Sequence, residues 1–362
     1  MNDEFLLVTL RFLATGLLHW QRKFAETGSV YPYPKDLQIG LDRLAAQSLT
    51  AGLDFPQDIP DALSWFHKPL NDWPQLQEKT LFTEDDSLLI AGQPTETCYE
   101  FVVDGDVEQE LTEQLVLKAL NLCCEQKNND DYVRFRRFLI EHPVIEMSKV
   151  VSWSTDKRNG IAASLLRDAY DVLSPSTSGP ENKHFLCSNC GWMLDWKNDQ
   201  AQCIHSYCGK RTNHFRRRKE CKITDFPVRL KRGIMRFVAW PGQWELKLEQ
   251  DLHDLQAGLK VELWPGFDSY DLRIVFPDGE VWAVDVKDWR NPYLLAKNVK
   301  SFSETPEWHK AFWVVTNHYW RNWRGRGYGQ EFGRFYALRQ KEAICSMKEF
   351  LQRVQRHLEG EG

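Results

Sequence analysis

Residues 270–287 read Tyr-Asp-Leu-Arg-Ile-Val-Phe-Pro-Asp-Gly-Glu-Val-Trp-Ala-Val-Asp-Val-Lys, and few folds accommodate that string. Two β-prone runs flank Pro277-Asp278-Gly279. Proline presets one turn dihedral and glycine supplies the left-handed one, so the segment predicts an antiparallel hairpin. Residues two apart in a strand share a face, which sets Asp285 beside Lys287. The hairpin then folds Asp271 back against Asp285. Trp282, Ala283, Val284 and Val286 mark the second strand as buried, and charges on a buried strand need partners or a metal. Two carboxylates suit a hard cation such as Mg2+ or Mn2+. Such an ion polarises a phosphoryl oxygen and activates water, while a lysine stabilises charge or orients the nucleophile. The set is equipment for phosphodiester hydrolysis.

A second constellation is Cys187-x-x-Cys190-Gly191 followed, twelve residues on, by Cys203-x-x-x-x-Cys208-Gly209. Each short turn offers two thiolates to one ion, and four thiolates close a tetrahedron with no open position, so the expectation is a structural Zn2+ ribbon. The second spacing is wide, which leaves His205 or Cys221 as an alternative ligand. Trp192 to Trp196 can lie as an apolar strand beneath the site. The most basic stretch follows, with Arg216, Arg217, Arg218 and Lys219 at its centre and Arg229, Lys231, Arg232 and Arg236 beyond. Such density favours phosphate contact and salt-dependent binding. Arg321, Arg324 and Arg326 alternate with Trp320, Trp323 and glycines, a pattern suited to stacking on bases and touching phosphates, or equally to packing on a partner protein.

Charge divides along the chain. Residues 1–150 carry 13 Lys and Arg against 25 Asp and Glu, whereas residues 151–362 carry 33 against 26. An acidic half joined to a basic half suggests that only one end meets nucleic acid. No apolar run approaches bilayer length, and Phe5–Leu13, broken by Arg11, does not read as a signal peptide. A cytoplasmic protein without a membrane partner follows, and nine cysteines in a reducing compartment argue for metal ligation over disulfides. The length predicts two or three domains. Phe5–Phe24, Leu111–Glu125 and Tyr132–Ile140 have helical apolar spacing. Ser174–Pro180 reads as a linker, and Gly333–Leu358 as a last helix.

Around the hairpin, the order of elements resembles the PD-(D/E)XK, restriction-endonuclease-like superfamily. That core is a helix, a three-stranded meander, a helix and a further strand. Gln243–Leu255, Lys260–Trp264, Tyr270–Phe276, Val281–Val286, Pro292–Phe302 and Ala311–Thr316 supply these parts in order. The resemblance implies catalytic roles for Asp271, Asp285 and Lys287, with Glu245 as the acid that the first helix adds and the Val286 carbonyl as a further ligand. Asp285 stands where Glu is commoner. Pro241-Gly242 reads as the helix entry, and Asp268 and Asp288 as bystanders.

Longer strings, Arg137–Val144, the Cys-x-x-Cys-Gly-Trp segment, Val261–Asp268 and Trp282–Trp289, resemble the restriction-endonuclease-like proteins encoded beside PIWI-type, Argonaute-like proteins in pPIWI-RE islands. That resemblance implies antiviral or anti-plasmid defence with a PIWI-type protein and a helicase, with DNA as substrate. The fold expected is α+β and multidomain: a helical N-terminal region (1–173), a linker and zinc ribbon with the basic segment (174–222), and a restriction-endonuclease-like α/β core with a mixed sheet (223–362). The activity expected is metal-dependent DNA endonuclease, with a homodimer among the arrangements it allows. The rivals are a catalytically inactive nucleic-acid-binding or assembly subunit and a transposon-type nuclease.

Overall fold

The structure, a computed structural model, describes residues 3–360 apart from 30, 78–80, 103–106, 198–199, 206–207, 209–217, 224, 256–257, 321 and 324–325. The chain is α+β. Helix α1 (Asp3–Thr27) carries leucines at positions 6, 10, 13 and 17, a helical stripe, and buries them. It packs along α2 (Lys35–Ala51), where Gly16 and Gly40 let the backbones approach. A Cβ on Gly16 would lie 2.3 Å from the Leu37 nitrogen. Helix α3 (Ile59–His67) is capped by Asp58, and α4 (Glu96–Phe101) by Thr95. Together with Trp73 and Phe82 these helices enclose the first core.

Helices α5 (Val107–Glu125) and α6 (Asn129–Glu141) begin a second body. Strand β1 (Val144–Glu146), helix α7 (Met147–Thr155) and strand β2 (Tyr170–Val172) follow. The ribbon segment adds β3 (Phe185–Cys187), β4 (Asp195–Lys197), β5 (Gln200–Gln202) and β6 (Arg218–Glu220), paired as β3 with β6 and β4 with β5. Strand β7 (Pro227–Leu230) lies between β1 and β2. Ser174–Pro180 is packed rather than loose: Thr177 is buried, and a Cβ on Gly179 would meet the Trp196 ring at 2.4 Å.

The C-terminal part holds a five-stranded mixed sheet. Helix α8 (Trp240–Asp254) precedes β8 (Lys260–Leu263), β9 (Leu272–Val275) and β10 (Val281–Lys287), which form an antiparallel meander. Helix α9 (Pro292–Asn298) crosses over to β11 (Lys310–Val315), parallel to β10. Helix α10 (Tyr328–Gly333), β12 (Glu342–Ser346) and α11 (Met347–Leu358) complete the chain, β12 parallel to β11 at the sheet edge.

Two expectations need correction. Residues 333–358 do not form one helix. Residues 342–346 pair with β11 and bury Cys345, and Ser346 with Glu349 forms a capping box that starts α11 afresh. Nor does the helix before the meander enter at Pro241-Gly242. It runs on from Arg232–Ile234 through a π-turn, Met235–Ala239. Pro241 offers no N–H to the preceding turn, and a widened turn absorbs that loss.

One hydrophobic core draws on all three sequence ranges, with Phe138 and Leu166, Trp192 and Leu194, and Leu248, Val284, Phe312 and Phe350 among its members. Tyr293 and Leu294 of α9 join the N-terminal core instead, docking it on the sheet. Among the described residues no helix is long and apolar enough to cross a membrane.

Candidate metal-binding and catalytic site

The hairpin register pairs Leu272 with Val284, which sets Asp271 opposite Asp285 one step beyond. Side chains extend the ladder there. The Asp271 N–H donates to Asp285 Oδ1 at 3.3 Å, and the Val286 N–H donates to Asp271 Oδ2 at 2.7 Å. Lys287 Nζ lies 3.1 Å from Asp285 Oδ2. The two carboxylates and the ammonium therefore meet where β9 begins and β10 ends.

Glu245 joins them from α8 and is 2% exposed. Both its oxygens are already engaged. Arg136 Nη2 donates to them at 3.0 and 3.1 Å, and Trp264 Nε1 donates to Oε2. The other guanidinium nitrogen of Arg136 binds Asp268, and the Tyr132 hydroxyl donates to Asp268 Oδ2 at 2.7 Å. Arg136 also lies over the Trp264 ring, 4.7 Å from its centroid, and 3.9 Å from Asp271 Oδ1. Sequence reasoning missed Arg136 altogether. Asp268, read as a bystander, belongs to this cluster. Asp288 is tied down separately by Trp240 Nε1 at 2.6 Å, Thr316 Oγ1 at 2.9 Å and His318 at 3.1 Å.

The electrostatics follow from burial. Burial, then the Glu245 and Asp285 charges, push the Asp271 carboxyl well above the usual carboxylate range. Glu245 is pushed up mainly by burial, against the Arg136 charge. Burial works against the charge on Lys287, but Asp285 and Asp271 outweigh it and raise its affinity for the proton. The two acids thus favour the charged form of Lys287. With all four carboxylates (Glu245, Asp268, Asp271 and Asp285) ionised, as a bound cation would favour, the two cations Arg136 and Lys287 leave two negative charges, which matches one divalent ion. Asp271 and Asp285 could hold such an ion as a two-carboxylate seat. Glu245 is not part of a three-acid group: among the described residues only the four cysteines and the set Asp278, Glu280 and His357 place three or more donor atoms within 4.8 Å of one another. The latter set lies at the far end of the hairpin, where Glu280 is also bound by Lys310 at 2.9 Å and by Trp282 Nε1 at 2.7 Å. It reads as an ion-pair pin for α11.

A cleft of about 320 Å³ opens beside Asp271 and Lys287. Its walls come from separate stretches of the chain, among them Tyr99, Arg136, His205, and Phe237 with Trp240.

The sulfurs of Cys187, Cys190, Cys203 and Cys208 all lie within 4.8 Å of one another. Gly191, at φ +75°, makes the knuckle turn, with its N–H on the Cys187 carbonyl at 2.9 Å. These four residues could hold a metal such as zinc. Neither alternative ligand joins them: His205 stacks on Trp240 at 4.7 Å, and the Cys221 N–H pairs with the His184 carbonyl. Trp192, Met193 and Leu194 are fully buried, but not as the expected strand: Met193 makes an isolated bridge to Leu186, and the strand begins only at Asp195.

Much of the basic stretch is spent inside the protein. Arg229 binds Asp195 at 2.7 Å and lies over Trp192, and Arg232 binds Asp195 at 3.2 Å. Arg236, 8% exposed, lies 3.6 Å from the Tyr99 ring centroid and donates to the Ile204 carbonyl. Arg218 lies over Phe185 and Trp196, whereas Lys219 is exposed. Arg216, Arg217, Arg321 and Arg324 lie outside the described residues, as does the side chain of Arg326.

Comparison with known proteins gives two matches. Residues 242–362 match the family model described as REase associating with pPIWI_RE, and residues 9–146 match that described as pPIWI_RE three-gene island domain Y. No curated protein and no solved structure matches the chain.

Proposed function

From a chain that belongs, through both matched segments, to the pPIWI-RE island REase-associated family, we propose a metal-dependent DNA endonuclease of the restriction-endonuclease-like, PD-(D/E)XK kind, serving antiviral or anti-plasmid defence. The observation that carries this reading is the meeting of Asp271, Asp285 and Lys287 at one point of a mixed sheet, beside a cleft. Asp271 and Asp285 would hold Mg2+ or Mn2+, and the ion when bound would polarise the scissile phosphoryl group and activate water. Lys287, kept protonated by its two acids, orients the nucleophile and stabilises charge developing on phosphorus. Glu245 stands behind Asp271 and fixes its surroundings through Arg136.

The four-cysteine group takes a structural Zn2+ in this reading, and the ranges 1–173, 174–222 and 223–362 serve as scaffold, ribbon and nuclease domain. DNA approaches along exposed basic positions such as Lys219. A PIWI-type protein and a helicase are the partners that the island context supports, in the cytoplasm, with a homodimer as the form that would cut both strands. The rival is a catalytically inactive assembly subunit, favoured by one observation: Glu245 is fully occupied by Arg136 and Trp264 and is not free for an ion. A supercoiled-plasmid assay with and without Mg2+ separates the two. The proposal expects Mg2+-dependent cutting that Asp285→Ala and Lys287→Ala each reduce by at least about 100-fold. Metal-independent or variant-insensitive cutting, or none, would remove it.

A further inference from the structure

We propose that Arg136, supplied by α6 within the segment that matches domain Y, is a positioning residue of the cleavage site that fixes how Asp271 meets a divalent cation. The inference rests on the nuclease reading above. Arg136 lies 109 residues before Glu245 in the chain, so two separately matched segments build one site.

The guanidinium is surrounded. One face lies on the Trp264 ring, one terminal nitrogen is bound to Asp268, and the other reaches both oxygens of Glu245. With its fork spent on carboxylates, it has no bidentate face left for a phosphate. It acts through its neighbours instead.

Those neighbours form the turn that delivers Asp271. In Trp264–Asp268 the φ angles are +45° at Trp264, +58° at Gly266, +58° at Phe267 and +65° at Asp268. Non-glycine residues in this region cost about 1–3 kcal/mol each and persist only where the surroundings hold them. Helix α6 does the holding. Asn129 accepts the Phe267 N–H at 2.8 Å, Tyr132 binds Asp268, and Arg136 binds Asp268 one turn further on. Three residues later the chain reaches Asp271, with Oδ2 fixed by the Val286 N–H and Oδ1 left 3.9 Å from Arg136.

Arg136 is also one of two cations, with Lys287, set among these carboxylates. Without it, the turn would lose one of its holds on α6 and Glu245 its charged partner.

The test is Mn2+ binding to the full-length chain at one neutral pH, followed by electron paramagnetic resonance without DNA, alongside plasmid cleavage. Relative to wild type, Arg136→Gln is expected to weaken Mn2+ binding and to slow cleavage, each at least about tenfold. Arg136→Lys, which keeps the charge but not the fork, should recover little of either. A purely structural arginine would lower the melting temperature and leave the Mn2+ affinity of the folded protein in place. A folded Arg136→Gln protein with wild-type Mn2+ affinity therefore overturns the inference. Mn2+ binding that weakens as expected in a chain that cuts nothing would overturn the nuclease reading and leave the positioning role standing. A wild-type chain that binds no Mn2+ would overturn both.

Discussion

Gly242 and Ile140 touch so closely that a Cβ on Gly242 would sit 2.4 Å from Ile140 Cδ1. This contact presses α8 against α6, and it lies within one turn of both Glu245 and Arg136 on those helices. Gly242→Ala should therefore cost about 1–2 kcal/mol through overpacking, read as a lower urea midpoint, even though alanine is the better helix former. Ile140→Val in the same chain should recover part of that loss. Full additivity of the two changes would show that the helices are not in the contact described.

Asp271 gives a pH prediction. Burial, Glu245 and Asp285 raise its folded-state value above that of the unfolded chain. The folded protein then binds this proton more readily, so the associated stability is present below the unfolded carboxylate range and is lost as pH rises through the raised value. In chelator, the melting temperature should fall across that window, and Asp271→Asn should flatten the fall. Added Mg2+ should restore stability at the upper end by binding the folded state. Identical slopes for wild type and Asp271→Asn would exclude a raised value.

Four converging sulfurs predict one bound ion per chain. Elemental analysis of the purified protein should find about one zinc. Cys187→Ser, or stripping by a strong chelator, should lower the melting temperature markedly. Structural zinc sites contribute folding energy outright, and Trp192 beneath this one is part of the large core. Zinc-free protein with unchanged melting would leave the cysteines as ordinary buried thiols.

Arg229 and Lys219 make a contrasting pair within the basic stretch. Arg229 is nearly buried, bound to Asp195 and laid over Trp192. Arg229→Ala should cost about 2–4 kcal/mol by breaking a buried pair, while the salt dependence of DNA binding stays unchanged in the protein that remains folded. Lys219→Ala should do the reverse and lower the slope of log affinity against log salt by about one.

The hairpin of the candidate site was legible because its information is local. Pro277–Gly279 fixes the turn, the two-residue period aligns Asp285 with Lys287, and register does the rest. The cysteine group was legible for the same reason, although the choice between Cys203 or Cys208 and His205 or Cys221 needed coordinates. Arg136 was not legible, since nothing near it in sequence names a partner more than a hundred residues away. Arg229, Arg232 and Arg236 misled for a related reason. A run of basic residues looks alike whether it faces phosphate or threads between aromatic rings. The missed strand Glu342–Ser346 did leave a trace: Ser346-Met347-Lys348-Glu349 is a capping-box pattern that marks a helix start within what seemed one helix.

The left-handed turn between Leu263 and Leu272 has a consequence for how this sequence can vary. Trp264 and Asp268 lie on that turn and are held by partners on other elements, so removing or adding a residue there would draw them off Glu245, Tyr132 and Arg136, while the Pro277–Gly279 hairpin kept β9 in register with β10. Drift in loop length, cheap at most surface connections, is therefore closed to this one. Its residue count is as much a part of the candidate site as the acid that follows it.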